Sequence, residues 1–371
     1  MQRRHFMLGA ACAALGAPIA RAGAVWTIQP STTTTASPST STTTASTAID
    51  VAAQVKSLRI ASGPYAGGFE IAPNGRLNWY FANLGLLPIV QYLSAADLDT
   101  YVRPYLELYL RSLNANGSID DVDFPLGRAD PSTFTRVLSD SDDSYAATLL
   151  SLAARYLRAS GSWAWFDANK ARLKDVAYRN LALAVKPNGL TSVFQAPRNT
   201  TNSIGYLMDN CEAYRGLRDF AALLRDRADA DAAYYDSFAN TIGGAVTRLY
   251  KAASLAFVPG DAYLSCDTSF YAGATCQVFP QAFGMGECQS VFDAGWAYLN
   301  KFAPGWEMGG YDPYPWAILG FVAAKRGQTA QATQQLATVE QKFSSNRALV
   351  TINELGFYQR TRSVLAGRAD V

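Results

Sequence analysis

Histidine is almost missing from this sequence: its 371 residues contain one, His5. His5 lies in an N-terminal segment with the pattern of an export signal, so we expect the mature protein to contain no histidine. This absence excludes Ser-His-Asp and Cys-His catalysis, metal sites with histidine ligands and a histidine general base. Acid–base chemistry in this protein must therefore depend on other side chains, above all on carboxylates.

Cysteine is scarce as well. Beyond the N-terminal segment the chain has Cys211, Cys266, Cys276 and Cys288, and no two of them form the C-x-x-C pair typical of zinc and redox motifs. An even number of cysteines in an exported protein favours disulfides, and we predict the pairs Cys266–Cys276 and Cys211–Cys288. Four free buried thiols are the alternative, because buried free cysteine is common.

Neither sign of charge is in excess. The chain has 32 Lys and Arg against 30 Asp and Glu, and removal of residues 1–24 takes away three basic residues and no acidic one, which leaves a net charge near −1. This balance disfavours nucleic acid and an anionic membrane surface as main partners.

The first 24 residues predict export. Arg3 and Arg4 precede a short apolar run over residues 6–19, and small residues follow. The apolar run is too short to span a membrane, and no other run is apolar and long enough to do so. The adjacent arginines favour a twin-arginine signal over residues 1–24, with an ordinary secretory signal as the alternative. We therefore expect a bacterial periplasmic or secreted protein with no membrane span in its mature form.

Beyond the signal, the composition changes twice. Residues 25–49 contain the uncharged run IQPSTTTTASPSTSTTTASTA, which has no apolar period and predicts a disordered linker. From residue 50 to residue 371 apolar residues recur at helical spacing, and Gly/Pro-rich stretches separate about twelve helices. The predicted helix starts lie near residues 51, 77, 97, 142, 163, 204, 229, 267, 287, 312, 328 and 351.

These helices differ in polarity. Those that start near 97, 163, 229 and 328 are the more polar, whereas those that start near 77, 142, 204 and 312 are rich in aromatic and small apolar residues. Alternation of more polar and more apolar helices along the chain indicates two layers, an outer polar one and an inner apolar one. We therefore predict an all-α fold, an (α/α)₆ toroid of six hairpins, over residues 50–371, and we expect a monomer.

Acidic residues crowd the start of one predicted inner helix. Asp140, Asp142 and Asp143 fall within four residues in LSDSDDSYAATLLSLAARYL. One or two aspartates are enough to cap a helix and to match its dipole, so capping alone is one interpretation. A third carboxylate favours a site, because crowded carboxylates raise a pKa toward the value that a general acid needs.

Other predicted inner helices also begin with acids, and parallel inner helices place their N-termini at one end of a toroid. Each acid has an ordinary alternative as a cap or an ion-pair partner, and most aromatic residues in a helical protein belong to the core. The predicted catalytic residues are Asp143, Asp142, Asp209, Glu212 and Asp267. Other side chains near these helix starts are predicted to bind the sugar: aromatic rings would stack on it, and acids would bind its hydroxyls. These residues are Trp79, Tyr145, Tyr206, Trp306, Glu307, Tyr311, Asp312 and Trp316.

The number of helices, their alternation and the chain length resemble the six-hairpin glycosidase superfamily, which includes glycoside hydrolase family 8 and some polysaccharide lyases. The stretch SDSDDSYAATLLSLAARYL is similar to the acidic opening of an inner helix in family 8, where an aspartate contacts the sugar at the cleavage point. That family's Ser-Glu-Gly-Gln motif is missing here, and Glu70 in GGFEIAPNG lies in a different setting. The resemblance therefore favours a relative elsewhere in the superfamily.

The resemblance implies an exported glycoside hydrolase that acts on a poly- or oligosaccharide. One carboxyl group would protonate the leaving oxygen, and a second would activate water or attack the anomeric carbon. No cofactor and no metal are expected. Two alternatives stay open: a polysaccharide lyase that uses tyrosine with Arg198, and a non-catalytic glycan-binding or scaffold protein on the same fold.

Overall fold

The computed structural model describes residues 48–196 and 202–368. The predicted signal, the predicted linker up to residue 47, and Arg198 lie outside the described residues. Residues Ile49–Val371 form one compact unit.

Twelve principal helices make up most of the described residues. In chain order they are α1 (Val51–Ser57), α2 (Trp79–Leu86), α3 (Arg103–Ser112), α4 (Asp143–Ser160), α5 (Trp163–Ala177), α6 (Leu207–Asp226), α7 (Ala232–Thr247), α8 (Phe279–Ala282), α9 (Phe292–Phe302), α10 (Ala317–Lys325), α11 (Thr329–Ser345) and α12 (Ile352–Leu365). Short helical segments precede or follow them at Val90–Tyr92, Ala95–Asp97, Leu98–Val102, Gly127–Ala129, Tyr178–Ala182, Phe270–Ala274, Gly286–Val291, Trp306–Met308 and Arg347–Leu349.

The even-numbered helices form a closed inner ring. Each packs against the even-numbered helix before and after it, and α12 returns to α2. The odd-numbered helices lie outside this ring, with α5 on α4, α7 on α6 and α11 on α10. The predicted all-α (α/α)₆ toroid is therefore confirmed. Most predicted starts lie within a few residues of the observed ones, and the largest error concerns α8, which was expected near residue 267 and begins at Phe279.

The inner helices are apolar on nearly all sides and approach one another closely. Every residue from Ala317 to Ala324 in α10 is buried. A Cβ atom on Gly216 would lie 2.5 Å from the carbonyl oxygen of Ala147, and one on Gly356 would lie 2.4 Å from that of Leu84. Glycine therefore lets backbones touch where α6 meets α4 and where α12 meets α2.

Strand structure is limited to two small hairpins in the described residues. The first pairs β1 (Asp121–Asp123) with β2 (Thr135–Val137), and the second pairs β3 (Tyr250–Lys251) with β4 (Ala256–Phe257), both antiparallel. Within residues 48–196 and 202–368, no helix combines the length and the hydropathy of a membrane span.

The two ends of the ring differ in the length of their connections. Turns as short as residues 161–162 and 326–328 follow inner helices. Long connections precede the inner helices, at residues 58–78, 113–142, 183–206, 248–278 and 303–316. The N-termini of the inner helices and these long loops share one end of the ring, which we call the mouth.

Candidate active site

The mouth contains a buried carboxyl group, that of Asp121. The backbone groups of Val122 and Leu77 pair at 2.9 and 3.0 Å, which holds β1 beside the start of α2. Asp121 Oδ2 accepts hydrogen bonds from Asn78 Nδ2 at 2.8 Å and from the Tyr145 hydroxyl at 3.0 Å. Its Oδ1 is buried and has no hydrogen-bond partner among the described residues. The site thus fixes one oxygen of this carboxyl group and leaves the other unpaired.

The surroundings of Asp121 favour its protonated form. Burial, followed by the negative charge of the exposed Asp140, raises the pKa of this carboxyl group to about 8. The hydrogen bonds from Tyr145 and Asn78 and the charge of Arg76 oppose this effect without cancelling it. The proton belongs on Oδ1, because Oδ2 already accepts two hydrogen bonds. Asp121 therefore holds a proton near neutral pH, as a general acid must.

Asn78 links the start of an inner helix to this carboxyl group. Its Oδ1 accepts from the backbone N–H of Phe81 at 2.9 Å and so caps α2. Its Nδ2 donates to Asp121 and, at 2.7 Å, to the Tyr145 hydroxyl. Burial and the charge of Asp121 raise the pKa of Tyr145 well above its ordinary value. Tyr145 is therefore a hydrogen-bond donor here and a poor base.

A second buried carboxylate, that of Glu212, belongs to the same site. Its Oε1 accepts from the Tyr80 hydroxyl at 2.5 Å. The ring of Tyr80 stacks on that of Tyr145, with centroids 5.8 Å apart and planes 24° apart. The stacked tyrosines thus connect Asp121 on one side with Glu212 on the other.

The acidic opening of α4 contacts the loop that precedes α6. Asp142 Oδ2 accepts from the backbone N–H of Gln195 at 3.1 Å, and Asp143 Oδ2 accepts from the Thr191 hydroxyl at 2.9 Å. Both aspartates are buried. Their contacts extend beyond the first turn of their own helix, so capping alone does not account for them. A catalytic role of Asp142 and Asp143 stays a prediction.

The other two acids predicted to be catalytic lie in different surroundings. Asp209 is buried in the first turn of α6, one turn before Glu212. Asp267 lies in a loop, where it accepts from the backbone N–H and the hydroxyl of Ser269 at 2.8 and 2.7 Å. The prediction that Asp267 opens an inner helix is wrong, because α8 begins twelve positions later, at Phe279.

Asp312 does not open a helix either. It accepts from the backbone N–H of Tyr314 at 2.9 Å, and α10 begins at Ala317. The N–H of Ala317 donates instead to Glu354 Oε2 of α12 at 2.5 Å, so one inner helix caps its neighbour. Glu307 lies in the short segment Trp306–Met308.

Four side chains predicted to contact sugar are buried, each at most 2% exposed: Trp79, Tyr145, Trp306 and Trp316. Other side chains cover these four rings in the structure, and sugar binding by them stays a prediction. Trp79, for example, donates to the carbonyl of Asp120 at 2.8 Å and packs on Tyr109.

Tyr311 is the exposed aromatic residue among those predicted to bind sugar. It is 43% exposed and stacks on Phe270, with ring centroids 4.9 Å apart. Phe270 in turn packs edge-on against Trp316 at the start of α10. Tyr206 is half-buried directly before α6. Sugar binding by Tyr206, Glu307, Tyr311 and Asp312 stays a prediction.

All four cysteines of the described residues have free thiols, so neither predicted disulfide is present. Cys276 and Cys266 instead direct their sulfur atoms at the carbonyl oxygens of Gly273 and Ala256, at 3.3 and 3.5 Å. Burial raises the pKa of Cys288 to about 12, which keeps this thiol protonated and unreactive. Residues 48–196 and 202–368 also contain no cluster of three His, Cys, Asp or Glu arranged to hold a metal ion.

Neither a family model nor a curated protein matches the sequence. Solved structures match the fold. A wild-type glycosidase aligns with a TM-score of 0.58 at 15% identity, over 86% of this chain and 96% of that one. A glycosidase variant in complex with glucose aligns with a TM-score of 0.59 at 15% identity, over 86% of this chain and 96% of that one. A rhamnosidase from Klebsiella oxytoca with rhamnose bound aligns with a TM-score of 0.55 at 15% identity, over 80% of this chain and 55% of that one. The protein thus has a glycosidase-like toroidal fold.

Proposed function

We propose that this protein is an exported glycoside hydrolase that cleaves a poly- or oligosaccharide with two carboxyl groups. The observation that carries the proposal is Asp121, a carboxyl group at the mouth with a raised pKa and one unpaired oxygen. A group that keeps its proton near neutral pH can supply the proton that a departing glycosidic oxygen needs. The likeness to solved glycosidases supports the reaction class.

In this mechanism Asp121 Oδ1 protonates the leaving oxygen, and Asn78 and Tyr145 hold the carboxyl group in place. Glu212, oriented by Tyr80, is the ionised partner that activates water. Asp121 and Glu212 bond the hydroxyls of two different tyrosines, whose ring centroids are 5.8 Å apart, so we expect the ~6.5–9.5 Å separation of inverting enzymes rather than the ~5–5.5 Å of retaining ones. Proton NMR of the first anomer released checks this expectation, and an anomer of retained configuration would contradict it.

The geometry supports hydrolysis better than elimination. A lyase needs a base that removes a proton beside a uronate carboxyl group. The raised pKa of Tyr145 makes it unsuited to that step. Screening against a polysaccharide panel separates the two reactions, because hydrolysis yields new reducing ends without the ultraviolet absorbance of an unsaturated product.

The decisive variant is Asp121→Asn. Asparagine keeps an oxygen that accepts from Asn78 and Tyr145 but has no proton to give, so we expect the rate on the best polysaccharide to fall by ~10²–10⁴. The loss should shrink on a dinitrophenyl glycoside, whose leaving group needs no protonation. A merely structural role for Asp121 would lower both rates alike.

The matched control is Asp123→Asn, in the same strand. Asp123 pairs with Arg76 at 2.9 Å and is partly exposed, so its loss should leave the rate within about twofold. Equal activity of Asp121→Asn and the wild type would overturn the proposal, as would a panel on which no polysaccharide yields reducing ends.

A further inference from the structure

Two stacked aromatic rings lie at the mouth, in the loops that precede the inner helices α8 and α10. The ring of Tyr311 stacks on that of Phe270, with centroids 4.9 Å apart and planes 20° apart. Phe270 in turn packs edge-on against Trp316, which is buried directly before α10. We call the pair Phe270 and Tyr311 the aromatic shelf. The shelf is thus anchored to the start of an inner helix.

The ring of Tyr311 is held in one orientation although it is 43% exposed. One face of the ring lies against Phe270, and the hydroxyl donates to the carbonyl of Pro304 at 2.9 Å. A side chain that is already ordered loses little conformational entropy when a ligand binds to it. Tyr311 is therefore suited to bind a flat apolar surface.

A carboxylate accompanies the aromatic shelf. Asp312 follows Tyr311 in the same loop and is partly exposed. Its Oδ1 accepts from the backbone N–H of Tyr314 at 2.9 Å, and its Oδ2 accepts no hydrogen bond from the described residues. A sugar matches this combination, because its C–H face stacks on an aromatic ring while its hydroxyls donate to a carboxylate.

The order of the helices places the aromatic shelf across the ring from Asp121. The inner helices follow one another around the ring in chain order, so α8 lies opposite α2 and α10 lies opposite α4. Asp121 contacts Asn78, directly before α2, and Tyr145 in α4, whereas the shelf precedes α8 and α10. Axes of packed helices are ~8–10 Å apart, so opposite helices of a six-membered ring are ~16–20 Å apart.

We propose that the aromatic shelf is a sugar-binding subsite remote from the cleaved bond, which selects oligo- and polysaccharide chains of several units. The inference rests on the proposed function, which places the cleaved bond at Asp121. A disaccharide bound at Asp121 is too short to reach the shelf, whereas a longer chain occupies both. Because the shelf does not touch the reacting atoms, its contribution belongs to KM and not to kcat.

The first test is the dependence of the rate on chain length. Dimers and hexamers are prepared from the polysaccharide of the panel that yields most reducing ends. We expect the wild type to have a higher kcat/KM on the hexamer than on the dimer. Tyr311→Ala should raise KM for the hexamer ~3–10-fold, the usual weight of one aromatic contact, and leave kcat and the KM for the dimer unchanged.

Two variants serve as controls. Tyr311→Phe keeps the ring and should keep the wild-type KM for the hexamer. Tyr234→Ala removes a tyrosine of similar exposure, 44%, from the outer helix α7, and should keep this KM as well. Equal KM values of Tyr311→Ala and the wild type would overturn the proposal. Equal increases in Tyr311→Ala and Tyr234→Ala would also overturn it.

Affinity electrophoresis tests the aromatic shelf without turnover and so separates it from the proposed reaction. Polysaccharides of the panel, cast into native gels, should retard the wild type and Tyr311→Phe more than Tyr311→Ala. Such retardation without hydrolysis would refute the proposed reaction and support the shelf. Hydrolysis of a polysaccharide that retards the wild type and Tyr311→Ala equally would support the reaction and refute the shelf.

Discussion

At the scale of single residues, position decides what a carboxylate can do. Asp121 and Asp123 lie in one three-residue strand, yet the first is buried against Tyr145 and the second is paired with Arg76 at the surface. Desolvation of the first favours its neutral form. The same residue type thus occupies a buried position and a partly exposed ion pair within one strand.

This difference predicts a pH dependence. In the proposed mechanism, activity requires the protonated form of Asp121, so kcat/KM should fall as the pH rises through the pKa of about 8. Asp121→Asn should lose this alkaline limb, because asparagine does not titrate. A pH profile between about 5 and 10 checks this, and an alkaline limb that persists in the variant would assign it to another group.

At the scale of elements, local patterns sufficed for the helices and failed for the loops. Helical periodicity and Gly/Pro punctuation depend on neighbouring residues, so the alternation of inner and outer helices was predictable. The role of Asp121 was not, because it depends on the pairing of Val122 with Leu77, far apart in sequence. The one local signal was the acidic stretch DDVD before the helix that opens at Asp143. Likewise, nothing in the sequence around Trp79 distinguishes a core ring from a sugar-binding one.

Close packing of the inner helices predicts the effect of a single methyl group. Gly216→Ala places a Cβ 2.5 Å from a backbone oxygen of Ala147, so α6 or α4 must shift. We expect a loss of ~1–3 kcal/mol in the free energy of unfolding, measured with urea. Gly244→Ala is the control on outer helix α7, where the nearest atom lies 4.0 Å away. This change should be neutral or stabilise by up to ~1 kcal/mol. Similar losses at both positions would mean that ring packing is not the cause.

At the scale of the whole molecule, the two ends of the ring differ. Turns of two and three residues follow α4 and α10 at one end, while the long loops and the carboxyl groups of Asp121 and Glu212 lie at the other. The side chains that make up the site come from α2, the β1 strand, α4 and α6, all in the first two-thirds of the chain. The later helices complete the ring that holds them.

Export is the prediction that concerns the whole molecule. If the proposed twin-arginine signal operates, replacing both Arg3 and Arg4 by lysine should retain the protein inside the cell, because this route reads the arginine pair. Fractionation and immunoblotting check this outcome. Undiminished export of the double variant would point to the general secretory route, and a variant with only Arg21→Lys serves as the control.

A closed ring of helices also has no terminal helix at which unfolding can begin. The backbone N–H of Ile49 reaches the Tyr358 hydroxyl at 3.2 Å across 309 positions of sequence, and α12 covers both α10 and α2. In an open helical array, terminal repeats melt one by one and truncation shortens the array. Here, loss of the last hairpin, α11 and α12, would expose both α2 and α10. The first hairpin is therefore fully buried only when the last one is in place, so we expect unfolding to be cooperative.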